Sequence, residues 1–214
     1  VNKKKKRRFE MTSQYFLDKL IEQDKIKNFS EMLSLDTSLN RELQIADIDE
    51  EVGEAVETLI RFWNRVDKEN GVAIQDREPI KIYINSNGGD LHATFTMIDA
   101  IQMSQTPVYT INIGTAFSGG FFTFIAGHKR FAYPNATFLY HEGSTGGGRQ
   151  DAGKFRNYAS FYENLMARLQ KITLKYTNIT EEEYEKHRND DWWIFADEAI
   201  EKGICDEIIN DFIS

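Results

Sequence analysis

Val108-Tyr109-Thr110-Ile111-Asn112-Ile113, then Gly114-Thr115-Ala116-Phe117-Ser118-Gly119-Gly120, then Phe121-Phe122-Thr123-Phe124-Ile125-Ala126: the fold turns on this stretch. The first run is apolar and β-branched, as in a buried strand. The last run reads as a buried helix. Between them a lone serine sits among small residues at a strand-to-helix turn, where a hydroxyl can be presented as a nucleophile. Gly119 leaves room for a substrate carbonyl, and the backbone N–H groups of the turn point toward it. Glycine is also the commonest turn punctuation, so the turn alone is compatible with an ordinary capped loop. The flanking segments decide between the two.

Upstream, Glu42-Leu43-Gln44-Ile45-Ala46 reads as a short strand. Asp49 then opens a helix with Val52, Val56, Leu59, Ile60 and Trp63 on one face. Residues 68–77 read as a polar, exposed loop. Ile80-Lys81-Ile82-Tyr83-Ile84 is a clear strand, ending in Asn85-Ser86-Asn87-Gly88-Gly89-Asp90, and a helix follows over residues 91–103. Strand and helix therefore alternate three times, which predicts a mainly parallel sheet with crossover helices. Sites in such folds form at the carboxyl ends of strands. Two of those ends carry glycine pairs, Gly88-Gly89 and Gly119-Gly120, which permit close backbone approach. Lying side by side, one N–H from each could grip a developing oxyanion.

Downstream, Lys129-Arg130-Phe131-Ala132-Tyr133 and Ala136-Thr137-Phe138-Leu139-Tyr140 read as two strands joined at Pro134-Asn135. The second ends at His141, which begins a loop rich in glycine. Residues 151–176 predict a long amphipathic helix with Tyr158, Phe161, Leu165, Leu169 and Ile172 near one stripe. Thr180 with Glu183 forms a capping-box pattern. Asp190-Asp191-Trp192-Trp193 leads to a short helix over 197–202, stopped by Gly203, and a last strand over 204–209.

The 214 residues allow one domain with appendages, and 41% hydrophobic with 28% charged residues is ordinary for a soluble chain. The net charge of -8 argues against general nucleic-acid affinity. Cys205 stands alone, so no internal disulfide is expected, and no Cys/His cluster has metal-ligand spacing. No cofactor or metal is expected. No apolar segment reaches membrane-spanning length and no signal-peptide pattern opens the sequence, so the expected setting is cytoplasmic. Residues 1–13, with the basic run at 3–8, read as a disordered tail. Residues 14–40 read as a helical arm, and 41–214 as the main domain.

Ser118, His141 and Asp191 thus each stand at a strand end or loop. In this the chain resembles the proteolytic-subunit family of the Clp protease, a family of serine peptidases. That family's Asn-Ser-Pro-Gly-Gly strand end is matched by Asn85-Ser86-Asn87-Gly88-Gly89, and its Gly-x-Ala-x-Ser-Met-Gly by residues 114–120. Its Lys-Arg-Phe-x-x-Pro-Asn before the histidine is matched by residues 129–135. Its Glu-Ala-x-x-x-Gly-(apolar)-x-Asp segment is matched by residues 198–206, after Asp191. The resemblance runs over residues 41–209. Four departures accompany it: Gly119 for methionine, Glu142-Gly143 for Gln-Pro, Asn87 for proline, and Asp190 beside Asp191. They point to a divergent branch, such as one carried by a phage or mobile element.

The resemblance implies an α/β, crotonase-like fold of repeated ββα units, with the N-terminal helical extension as this chain's own. It implies a serine endopeptidase with Ser118 as nucleophile, His141 as base and Asp191 (or its neighbour Asp190) as the orienting acid. The N–H groups of Gly89 and Gly119 would form the oxyanion hole, with Gly88, Glu142 and Gly143 binding substrate. It further implies a homo-oligomer of two stacked seven-membered rings, acting on unfolded protein or peptides. A Clp-type AAA+ ATPase would be the partner, since this sequence carries no phosphate-binding Gly-x-x-x-x-Gly-Lys-(Ser/Thr) loop. Competing readings are a phage head-maturation protease of the same fold, a non-catalytic ring or assembly subunit, a coenzyme A enzyme with paired N–H groups, and a serine–lysine peptidase.

Overall fold

The computed structural model describes residues 37–143 and 151–213, so the expected tail, most of the expected arm, and the glycine run at 146–148 lie outside it. The chain divides between Leu43 and Gln44. Of the first part, residues 37–39 form a helical turn that leads into β1 (Glu42–Ile48). The second part carries the sheet and the site.

Asp49 caps α1 (Glu50–Glu69), its side chain accepting from Val52 N–H at 2.9 Å. Gly53, Val56, Ile60, Trp63 and Asp67 recur every three or four residues and are buried. Gly53 faces Ala93 of α2 (Leu91–Met103), where an added Cβ would lie 3.0 Å from the Ala93 Cβ. The helix therefore consumes the start of the expected polar loop, which is reduced to a turn and a 3-10 segment at Ile74–Asp76.

The centre of the sheet is β2 (Ile80–Gly89) beside β3 (Val108–Phe117), paired in parallel. Ile80, Ile82, Ile84, Val108 and Ile111 are all fully buried, as expected of strands covered on both faces. The Gly88-Gly89 pair forms the last two residues of β2, at the carboxyl end where it is expected. The β2–β3 ladder is irregular just before it. Ile84 pairs with Asn112, but Ser86 pairs with Ala116. Asn112 and Asn85 supply acceptors where the regular ladder fails: Gly114 N–H donates to Asn112 Oδ1 at 3.0 Å, and Thr115 N–H to Asn85 Oδ1 at 3.1 Å. A Cβ on Gly114 would lie 2.5 Å from Asn85 Oδ1, so a larger residue here would displace the amide that accepts from Thr115.

On its other edge β3 serves two partners in succession. β4 (Lys129–Ala132) pairs with residues 109–112, and β5 (Thr137–Tyr140) with residues 115–117, both in parallel. The two short strands are thus not partners of each other; they share one edge of β3. The Asn112 amide fills the break between them, donating to the Thr137 carbonyl at 2.9 Å. A strand absent from the sequence reading, β6 (Trp192–Phe195), adds antiparallel to β5. The last strand, β7 (Glu207–Ile208), is shorter than expected and adds to β4. The Arg130–Asp206 pair holds it there, with Nε donating to Oδ2 at 3.1 Å.

The remaining helices are α3 (Gly119–Ile125), wholly buried, α4 (Ala152–Tyr176), α5 (Glu181–His187) and α6 (Ala196–Glu201). The capping box at Thr180 and Glu183 forms as expected. The stripe on α4 is core in its second half alone, where Met166 and Leu169 are buried; Tyr158 and Phe161 are exposed. The fold is α/β with a mainly parallel seven-stranded sheet. Among the described residues, no helix is long and apolar enough to cross a membrane.

Ile111 is fully buried in the central strand, whereas Ile74 is 54% exposed. Ile111→Ala is expected to cost about 2–5 kcal/mol of stability. Ile74→Ala should change it by no more than about 0.5 kcal/mol. Urea midpoints at equal slope check both.

Candidate active site

The strand registers determine which chain ends meet. Ser86 pairs with Ala116 in the β2–β3 ladder, so two residues further on Gly88 stands beside Ser118. An added Cβ on Gly88 would lie 2.7 Å from the Ser118 Cβ and 3.1 Å from the Gly119 nitrogen. On the other side, Phe117 pairs with Leu139, and Ser118 N–H donates to the Leu139 carbonyl at 2.9 Å. In the β5–β6 ladder Tyr140 pairs with Trp192, so the next positions out are His141 and Asp191. Four strand ends thereby line up Gly88, Ser118, His141 and Asp191.

Ser118 itself has φ 53° and ψ -119°, a left-handed conformation that non-glycine residues avoid. It is the residue between the last of β3 and the first of α3. That conformation is a strained one for serine, and it puts the side chain at the end of the strand with its own N–H tied back to β5.

Ser118, His141, Gly89, Gly119 and Gly143 line one cavity of about 470 Å³. The lining also holds an apolar and aromatic wall of Phe122, Tyr158, Phe161, Tyr162, Leu165 and Leu169. Asp191 is outside the cavity lining, behind His141, with 3.5 Å between Oδ1 and Nδ1. Asp190 does not take that place; its N–H donates to the His187 carbonyl at 3.2 Å. Among the described residues, no hydrogen bond joins Ser118 Oγ to His141. The three side chains are gathered but not closed into a hydrogen-bonded relay, a looseness common in unliganded sites.

Gly89 is backed by β1, with a Cβ position only 2.0 Å from the Ile48 carbonyl oxygen, and its φ of 152° is one that L side chains rarely adopt. Gly119 has its Cβ position occupied by a neighbour instead: Thr94 Oγ1 would be 2.5 Å away. Thr94 is fully buried and its hydroxyl donates to the Asp90 carbonyl at 2.8 Å. Glu142 is not part of the cavity wall and accepts from Arg188 Nε at 2.8 Å. The Gly143 carbonyl accepts from Tyr162 Oη at 2.6 Å. Burial, with the nearby Glu142 and Tyr158, raises the Tyr162 phenol above its ordinary pKa and keeps it a donor.

The aromatic wall and Thr94, Arg188 and Tyr162 were missed in the sequence. The wall's signal was present, because Tyr158, Phe161, Tyr162 and Leu165 have helical spacing, but that spacing is shared by core and pocket faces alike. Among the described residues, no group of three or more His, Cys, Asp or Glu could hold a metal ion. The thiol is no rival nucleophile here. Cys205 is 2% exposed, and burial pushes its pKa up to about 11.

The family model described as Clp protease matches residues 72–212. The chain is 31% identical over 134 residues to the "ATP-dependent Clp protease proteolytic subunit 2" of Treponema pallidum (strain Nichols), covering 62% of this chain and 67% of that one. It is 32% identical over 133 residues to the protein of the same name from Treponema denticola, covering 61% and 66%. The chain thus spans about two thirds of the length of these curated relatives.

Gly119→Ala is expected to cost about 1–3 kcal/mol by overpacking against Thr94. Adding Thr94→Ala, which removes the obstructing hydroxyl, should recover part of that loss in the same denaturation assay. Iodoacetamide at pH 8 should leave Cys205 unmodified in the folded chain, since the thiol is protonated below about 11 and enclosed. Rapid alkylation read by intact mass would contradict that burial.

Proposed function

The chain belongs to the Clp protease family, and from that premise we propose that it hydrolyses peptide bonds with Ser118 as nucleophile, His141 as base and Asp191 as orienting acid. The observation that carries the reading is the convergence of these residues with two glycine N–H groups at aligned strand ends. Ser118 Oγ attacks the scissile carbonyl as His141 takes its proton. Asp191, facing Nδ1, holds the imidazole in the tautomer that leaves its other nitrogen free and stabilises the imidazolium that forms. The N–H groups of Gly89 and Gly119 donate to the oxyanion of the tetrahedral intermediate, each donor contributing roughly 3–4 kcal/mol in comparable sites. His141 then protonates the leaving amine, and water hydrolyses the acyl-enzyme on Ser118.

The cavity supports a substrate class as well. Its aromatic wall receives an apolar side chain next to the scissile bond, while Gly143 lines the same cavity and Gly88 lies against Ser118, where a peptide backbone would run. We place the substrates among unfolded proteins and peptides, delivered within stacked seven-membered rings by a Clp-type ATPase. The support for ATP dependence is the name that the two relatives share. Closure of the His141–Asp191 contact from 3.5 Å to hydrogen-bond length would accompany assembly or substrate binding.

Treating the parent and Ser118→Ala with a fluorophosphonate, then weighing the intact chains, tests the nucleophile. One adduct on the parent and none on the variant is expected. Ser118→Ala should keep its fold and assembly and lose peptide cleavage by roughly 10⁴-fold or more. Cleavage by the variant at the parent's rate would sink the assignment.

A further inference from the structure

The β5–β6 ladder ends at Tyr140 and Trp192. Just beyond it, the imidazole of His141 and the carboxylate of Asp191 have to meet without a backbone pair to align them. Their contact of 3.5 Å is longer than a hydrogen bond, and the Asp191 side chain is 59% exposed. Such a contact is weak on its own. Among the described residues, the next link between the two segments is the ion pair of Arg188 and Glu142, with Nε to Oε1 at 2.8 Å.

The placement of that pair is specific. Glu142 follows His141 directly, and its side chain is 22% exposed. Arg188 lies three residues before Asp191, on the turn closed by the Asp190 N–H to His187 carbonyl bond. Its Nη1 also faces Glu185 Oε2 at 3.7 Å, which holds the guanidinium toward the end of α5. Beside it, the His187 ring stacks on Trp192 at 4.1 Å, so the turn is also tied to β6. On the histidine side, Glu142 is followed by glycine, which adds no stiffness of its own; the Gly143 carbonyl is held instead by Tyr162 from α4. One ion pair therefore joins the peptide carrying the imidazole to the turn carrying the acid.

We propose that the Arg188–Glu142 ion pair is a positioning clamp that holds His141 against Asp191. Neither residue lines the cavity that Ser118 and His141 share. The inference rests on the catalytic reading of Ser118, His141 and Asp191. As an ion pair half open to water it contributes little to global stability, so unfolding measurements are a control rather than the readout.

The test uses the full-length, assembled protein with a fluorogenic peptide. Arg188→Ala should lower kcat on the order of tenfold to a hundredfold, the size of effect that small misplacements of reacting groups produce. KM should stay within about twofold, since the cavity lining is untouched. Arg188→Lys should fall between, and the exchanged pair Glu142→Arg with Arg188→Glu should recover most of the loss. A kcat equal to the parent's in Arg188→Ala overturns the clamp, as does a loss confined to KM or an exchanged pair no better than its single variants. A second readout is independent of turnover: the His141 ring resonances, assigned by their loss in His141→Gln, should shift in Arg188→Ala. If the parent neither cleaves peptide nor forms an adduct on Ser118, the catalytic reading fails. The ring resonances then judge the clamp alone, and an unchanged spectrum overturns it.

Discussion

The hydrogen bonds that Asn85 and Asn112 offer to the backbone of residues 114 and 115 set the geometry of everything at this site. Between Ile84 and Ser86 the β2 strand advances two residues while its partner on β3 advances four. Without that slip, Gly88 would stand beside Ala116 and Ser118 would overshoot the end of β2. With it, the glycine pair and the serine are neighbours. A regular parallel ladder would satisfy its own backbone groups; a slipped one leaves donors stranded in a buried sheet, each costing about 1–3 kcal/mol if unmet. The two amides meet them. Asn112 is fully buried and its Nδ2 also donates to Thr137, so one side chain stabilises both the slip toward β2 and the change of partner from β4 to β5.

That arrangement lets the chain hold a serine in a conformation it would not choose. A non-glycine residue at a positive φ costs of order 1–3 kcal/mol. Three restraints offset it here. The N–H of Ser118 is bonded to Leu139, Gly88 packs against its Cβ with no room for a side chain, and α3 begins at the next residue. The helix is anchored by Phe121, Phe122 and Phe124, all buried, each side chain contributing roughly 1.5–3 kcal/mol on burial. Phe121 and Phe122 pack edge-on against Tyr140, the last residue before His141. The core below Ser118 is thus also the core below His141, so the two cannot be repositioned independently.

Much of this was legible in the sequence because local signals and tertiary demands agreed. Asp49 before an amphipathic run, the Thr180–Glu183 box, and β-branched runs at 80–84 and 108–113 each specify their element by short-range chemistry. What was not legible depended on partners far away in the chain. Trp192-Trp193-Ile194-Phe195 is four residues long and becomes a strand because β5 offers it an edge. The glycines at 88 and 89 read as the end of a strand, as they are, but the slip in β3 that sets them beside Ser118 has no local signal. Residues 129–133 and 136–140 read as two strands joined at Pro134-Asn135, but that both lie in succession along one edge of β3 depends on a partner the local sequence does not name. On α4 the periodicity was right and its meaning divided: one end of the stripe fills the core, and the other walls a cavity.

The departures from the family's motifs are where the physical reading adds most, because they come with structural counterparts. Gly119 lacks a side chain, and Thr94 Oγ1 occupies the space that one would need. Glu142 brings a carboxylate next to the histidine, and Arg188 neutralises it across the gap. Asn87, in place of proline, keeps a backbone N–H on β2 and lines the cavity mouth. A chain retained for architecture alone would keep its core and let such positions drift without partners. Here Gly119 and Asn87 line the cavity, Glu142 is paired with Arg188, and the core beneath is buried. On the proposed reading of Ser118, His141 and Asp191, the Gly119–Thr94 and Glu142–Arg188 pairs bear on the placement of those side chains, whereas Asn87 lines the cavity that would receive the substrate.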